Sequence, residues 1–195
     1  METPEGVKRV SMAVIKRLPK YHQCLGKLLE SKVERTSSQE LSKKLGFTAS
    51  QIRQDLNNFG EFGQQGYGYN VEQLYGENTK ILGLDTTHKM VIIGAGNLGQ
   101  TLANYSGFQN HGFMNLALFD KNPKLVGLKI RDIPIRDVDE MASFINENDI
   151  DIAIIAVPVE AALGVSQALS KTKVRGIWNF SQVEIQSNEG LIVEN

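Results

Sequence analysis

The sequence predicts an α/β chain, with an N-terminal winged helix-turn-helix domain followed by a Rossmann-type doubly wound parallel sheet. Three observations carry this. The first 60 residues space their apolar positions three or four apart, as helices do. Residues 60–69 set four glycines among aromatics with extended flanks. From residue 89 onward short apolar runs alternate with helical stretches, the pattern of strands crossed over by helices. A length of 195 residues allows one ordinary domain or two small ones.

In chain order, Val10, Val14 and Leu18 lead to Pro19, and Tyr21, Cys24, Leu25, Leu28 and Leu29 continue a helical stripe. Ser37 and Glu40 have capping-box spacing and open a short helix with Leu41 and Leu45 inward, which Gly46 ends. Thr48 and Gln51 repeat the box and open a second helix with Ile52, Leu56 and Phe59 inward. Two capped helices across a glycine turn predict a helix-turn-helix. With Ile52 at 0° and about 100° per residue, Ser50, Gln54, Asn57 and Asn58 fall opposite the core, at about 140–240°. Amides there can read adenine in a major groove, and Arg53 on the flank can meet a phosphate or a guanine. A solvated polar face would look the same. The glycine segment predicts a β-hairpin wing, and a third helix over about 71–84 reaches the polar joint 85–88. The expected domains are 1–84 and 85–195.

In the second domain strands are expected at 89–93, 115–119, 133–135, 151–157, 176–179 and 191–193. The first runs directly into Gly94-Ala95-Gly96-Asn97-Leu98-Gly99. Gly-x-Gly-x-x-Gly is a weak signal alone, and its place between strand and helix strengthens it. Gly94 would make the tight turn, Gly96 would admit a pyrophosphate, and Gly99 would let helix pack on strand. The helix N-terminus beyond offers free N–H groups to phosphate. Asp120, ending the second strand, would accept hydrogen bonds from an adenosine ribose and favour NAD over NADP, a preference that Lys121 and Lys124 blur. Asp120 as a turn cap, and coenzyme A as another adenine nucleotide, stay open. Val157 and Pro158 would border a nicotinamide, or Pro158 would simply start the next helix.

Composition narrows the function further. Residues 7–60 hold 11 Lys and Arg against 4 acids, +7, whereas residues 81–195 hold 9 against 13, −4, which points to a polyanion partner for the first domain or to a solvated basic surface there. The single cysteine, Cys24, excludes an intramolecular disulfide and a cysteine zinc cluster, so no metal is expected. No apolar run approaches a membrane span, which predicts a cytoplasmic protein with no membrane partner. His22, His88 and His111 are badly placed for proton transfer beside a nicotinamide, and residues 89–195 leave no room for a substrate domain. A binding protein is expected, with a small NAD-dependent oxidoreductase and a coenzyme A-responsive regulator as alternatives.

These pieces in this order resemble the Rex family of redox-sensing transcriptional repressors. The resemblance rests on Arg17-Leu18-Pro19-x-Tyr21, Gln51-Ile52-Arg53-x-Asp55-Leu56, Phe59-Gly60-x-Phe62-Gly63-x-x-Gly66-x-Gly68-Tyr69-x-Val71, the Gly94 to Gly99 turn, and Asn179-Phe180. It implies a homodimer on double-stranded operator DNA, released by NADH, with NAD+ competing and permitting DNA binding. It further implies that Arg53, Gln54 and Asn57 face the operator and that the wing around Gln65 and Tyr67 reaches the minor groove; Ser50 and Asn58, from the projection, and Gln51 join them as candidate DNA contacts. By the same resemblance Arg17 serves a contact between domains and Tyr105 lies near the nicotinamide. Gln54, Gln64 and Gln65 depart from the basic residues of many members, which bears on operator preference. The family continues into a C-terminal helix exchanged between subunits that carries an acidic partner for Arg17, so a chain stopping at Asn195 is expected to lack it.

Overall fold

The computed structural model describes residues 11–57, the backbone of 63–64, and residues 68–187 and 190–195. The chain divides into two compact units, Met1–Asp85 and Thr86–Asn195.

In the first unit, α1 (Met12–Ile15) and α2 (Leu18–Glu30) precede a two-residue strand, β1 (Arg35–Thr36). Pro19 is tolerated in the first turn of α2, where its missing N–H has no acceptor to lose. Next come α3 (Ser38–Leu45), α4 (Ala49–Asn57), the wing strands β2 (Gly63–Gln64) and β3 (Gly68–Asn70), and α5 (Val71–Ile81). The capping box forms as its spacing predicts: the Ser37 hydroxyl accepts from the Glu40 N–H while the Glu40 carboxylate accepts from the Ser37 N–H. That hydrogen bond holds the Glu40 carboxyl below the usual carboxylate range. Gly46, left-handed at φ 74°, ends α3. Thr48 caps α4 through the Gln51 N–H.

Leu18, Tyr21, Leu25, Leu41, Ile52, Leu56, Val71 and Leu74 form one buried cluster. Leu45 is only partly buried against it, and Phe59 lies outside the described residues. The wing is a three-stranded antiparallel sheet of order β1-β3-β2, so the expected hairpin gains Arg35–Thr36 as a third strand. The third helix stops at Ile81 rather than near 84. Gly83 turns left-handed at φ 67°, and the N–H groups of Gly83 and Leu84 return to the Lys80 and Thr79 carbonyls in a Schellman closure.

The second unit contains β4 (His88–Ile93), α6 (Asn97–Asn104), α7 (Gly107–Asn110), β5 (Phe113–Asp120), β6 (Lys129–Ile130), β7 (Ile133–Asp137), α8 (Met141–Asn148), β8 (Ile152–Ile155), α9 (Val159–Leu169), β9 (Gly176–Asn179) and β10 (Ile192–Glu194). The sheet order is β10-β9-β8-β4-β5-β7-β6, parallel except for the β6–β7 hairpin. Numbering only the parallel strands gives 3-2-1-4-5-6, whose order reverses between β4 and β8. β4 is apolar from Met90 to Ile93 because both its faces are covered there: Met90 and Ile92 join one buried cluster, Val91 and Ile93 the other. The β6 strand was not expected, and β8 is shorter than 151–157 at both ends, spanning Ile152–Ile155.

Candidate nucleotide cleft and nucleic-acid face

β4 ends at the switch point and hands the chain to the glycine turn, where each glycine meets a different constraint. Gly94 has φ 102°, and a Cβ there would collide with the Ala156 carbonyl oxygen and stand 3.0 Å from Val157 Cγ1. Gly99 faces the turn itself, where a Cβ would overlap the Gly94 carbonyl oxygen. At Gly96 a Cβ would meet nothing within 4 Å, so this glycine keeps a space open rather than avoiding a neighbour. The turn runs into α6, whose first N–H groups, at Asn97, Leu98 and Gly99, have no acceptor within the helix.

A cleft of about 650 Å³ opens beside this turn. It brings together Gly94, Gly96, Asp120, Lys121, Val157 and Pro158 from three strand ends. Asp120 Oδ2 accepts the Ala95 N–H at 2.7 Å and Oδ1 accepts the Asn122 N–H at 2.8 Å. The carboxylate therefore ties the glycine turn to the end of β5, a cap as well as a candidate ribose acceptor, with lone pairs left on both oxygens. Pro158 N-caps α9, as one reading of it expects, and also lines the cleft.

Sequence reasoning missed the apolar part of the lining, Leu125, Val138 and Val165, and Gly164 in α9. The one available signal was a glycine inside a helix, where it is normally unfavourable. Tyr105 is absent from the cleft lining. It caps the far end of α6, about 12 Å from the turn for an eight-residue helix, is 60% exposed, and meets Phe108 edge-on at 5.2 Å. His88, expected just before the first strand, is its first residue, at the end remote from the cleft; His111 lies in the α7–β5 connection, and His22 stacks on Tyr75 in the first unit.

On α4, Ser50, Arg53, Gln54 and Asn57 are exposed together while Ile52 and Leu56 are buried, and Gln51 is half-buried. Arg53 Nη1 donates to the Ser38 hydroxyl at the start of α3, 3.0 Å away. Asn58, Gln65 and Tyr67 lie outside the described residues. Asp55, which the helical projection left unremarked, is 2% exposed on the inner face. Its carboxylate accepts Arg17 Nε at 2.7 Å, Arg17 Nη2 at 2.8 Å and the Tyr21 hydroxyl at 2.7 Å. Arg17, assigned by resemblance to a contact between domains, thus has its described ion pair inside the first unit. Asp55 raises the Arg17 pKa further, and burial pushes the Tyr21 phenol well above its ordinary range, so both remain donors.

A winged helix-turn-helix carried ahead of a dinucleotide-type sheet, with a nucleotide-sized cleft at the switch point, defines the class of DNA-binding regulators that carry a nucleotide domain. Residues 9–57 match a family described as "Putative DNA-binding protein N-terminus" and residues 85–183 one described as "CoA binding domain". The redox-sensing transcriptional repressor Rex of Clostridium botulinum (strain Alaska E43 / Type E3) is 57% identical over 188 residues, covering 96% of this chain and 90% of that protein. The crystal structure of RSP in complex with beta-NAD+ and operator DNA matches with a TM-score of 0.93 at 54% identity, over 96% of this chain and 87% of that one. RSP in complex with beta-NADH matches at 0.89 and 51%, over 96% and 88%. The chain belongs to the Rex family of redox-sensing transcriptional repressors.

Proposed function

We propose that this chain is a cytoplasmic, homodimeric repressor that holds operator DNA through α4 and the wing and is released by NADH, with NAD+ competing for the same cleft. The observation that carries the nucleotide half is the Asp120 carboxylate hydrogen-bonded to the glycine turn at the mouth of the cleft. In this reading the pyrophosphate lies over Gly96 against the start of α6, and the ribose hydroxyls meet Asp120. Val157 and Pro158 lead toward the nicotinamide. A 2′- or 3′-phosphate would meet the carboxylate instead of a hydroxyl, which disfavours NADPH and coenzyme A alike. Lys121, also in the lining, softens that penalty.

The ionisable side chains lining the cleft are Asp120, Lys121 and Glu160, and Asp120 is already engaged by two backbone N–H groups. A sensor needs no more, whereas a dehydrogenase needs a proton-transfer group beside the nicotinamide. Exposed Met114, Trp178 and Ile192 on the second unit give a second copy apolar surface to cover. Among the described residues no helix is long and apolar enough to cross a membrane. Calorimetric titration with NADH, NAD+, NADPH and coenzyme A tests the reading: the first two should bind in preference to the last two. Tighter coenzyme A binding, or turnover of a hydroxy- or oxo-substrate with NAD, would replace it.

A further inference from the structure

We propose that Asp55 is the positioning residue of α4, fixing through Arg17 and Tyr21 how the helix is rotated on α2 and so whether its polar face meets base edges together. The inference rests on the DNA-binding half of the proposed function. It starts from the cost of the arrangement: a carboxylate 2% exposed must be paired to be tolerated, and well-packed apolar residues are often as stable as a buried ion pair. Stability alone therefore does not call for an acid here. What a carboxylate supplies and a hydrophobe does not is direction. Three donors meet two oxygens at 2.7–2.8 Å, two of them from the planar fork of one guanidinium.

α4 needs such a constraint because it is short. Its nine residues bury two large apolar side chains among those described, Ile52 and Leu56, and non-directional packing resists rotation about the helix axis weakly. At a side-chain radius of about 5–6 Å, a 20° rotation moves the outer groups by about 2 Å. Hydrogen bonds to base edges tolerate a few tenths of an ångström. Asp55 sits about 100–160° around the helix from Gln54, Ser50 and Asn57, so it anchors a side outside the face it aims.

The anchor is stiff at its other end. Arg17 N-caps α2, the Tyr21 N–H returns to the Arg17 carbonyl, and the Tyr21 ring packs edge-on against Phe47 at 5.8 Å. Phe47 belongs to the turn between α3 and α4, so the same network grips both the helix and the turn that leads into it.

One consequence separates positioning from direct contact. The Asp55 carboxylate neutralises the Arg17 guanidinium, so the pair contributes little to the phosphate-binding charge of this unit. Replacing a phosphate-contacting cation lowers the salt slope of binding by about one, whereas replacing a positioning residue leaves that slope unchanged.

The test uses the full chain, a palindromic duplex selected from a random pool by the wild-type protein, and a scrambled duplex of equal length. Asp55→Asn and Arg17→Gln should each lower the selected-to-scrambled affinity ratio at least about tenfold, the scale of breaking a charge-assisted pair. Scrambled-duplex affinity, its salt slope and NADH affinity should stay at wild-type values. The Arg17→Gln/Asp55→Asn double variant should lose less than the sum of the singles, as coupled residues do. Should circular dichroism show Asp55→Asn unfolded, Tyr21→Phe decides, with a fall of about 2- to 10-fold for one hydrogen bond. A folded Asp55→Asn that keeps the wild-type ratio overturns the inference, as does a parallel loss on both duplexes or an unchanged ratio in Tyr21→Phe. A wild-type chain that selects no duplex overturns the proposed function itself, a result read before any variant is made.

Discussion

Replacing Gly96 by valine separates the folding of the glycine turn from its use. Gly96 has φ −72° and ψ −172°, an extended backbone that valine adopts readily, and a Cβ there has open space around it. Two small effects on stability oppose each other. Removing glycine's freedom from the unfolded chain stabilises by about 0.4–1 kcal/mol, and valine at a helix N-cap costs a similar amount relative to glycine. The net change should stay within about 1 kcal/mol, a few degrees in Tm. Binding should respond very differently, because the valine methyls would stand in the proposed path of the pyrophosphate to the first N–H groups of α6. Losing two charge-assisted hydrogen bonds at about 1.5–3 kcal/mol each weakens NADH by roughly two to four powers of ten. NADH fluorescence titration gives the affinity, a thermal melt the stability, and an operator-binding assay should show DNA affinity retained. Gly99→Ala is the matched control: its methyl overlaps the Gly94 carbonyl oxygen, so it should destabilise by about 1–3 kcal/mol. A folded Gly96→Val protein with wild-type NADH affinity refutes the pyrophosphate placement, and a grossly unfolded one refutes the open space at Gly96.

Asp120→Ala should reduce discrimination between NADH and NADPH and also lower Tm, since the carboxylate holds the Ala95 and Asn122 N–H groups; unchanged discrimination would mean another residue reads the ribose. Arg53→Ala should weaken operator binding by about 1–3 kcal/mol. Ser38→Ala should reproduce a fraction of that loss by releasing the guanidinium, and wild-type affinity in Arg53→Ala contradicts its contact role. Burial raises the Cys24 thiol, so its reactive thiolate is scarcer at neutral pH and grows as pH rises toward the raised pKa. Iodoacetamide should therefore label Cys24 more slowly than free glutathione at neutral pH and faster on alkalinisation; equal rates at neutral pH would contradict the burial.

The parts legible in the sequence were those whose cause is local. Ser37, Glu40 and Gly46 bracket α3 because capping is decided within one turn of helix. The strand-turn-helix context of Gly94 to Gly99 located the cleft, since the steric reasons for those glycines lie within a few residues or at one neighbouring strand. What escaped depends on distant partners. β1 has two residues and no alternation, and it is a strand only because β3 lies beside it. The apolar lining around Val138 and Gly164 is assembled from elements about 26 residues apart. Asp55 falls beside the inward positions on a helical wheel, where an acid has no apolar reason to be, and only its meeting with Arg17, 38 residues earlier, explains its burial. Tyr105 came from resemblance alone, and no cleft residue lies beside it in sequence.

The most direct test of the account is the coupling between nucleotide and DNA. The glycine turn and Asp120 would touch only groups common to NADH and NAD+, so a sensor must convert a difference at the nicotinamide into a difference in DNA affinity. A ligand can do so only by its differential affinity for the DNA-competent and DNA-incompetent states. NADH and NAD+ are titrated separately into the protein bound to a labelled palindromic operator. NADH should weaken DNA binding about 5- to 150-fold, operator DNA should weaken NADH binding by the same factor, and NAD+ should do much less. Equal effects of the two nucleotides, or none from either, would contradict the account.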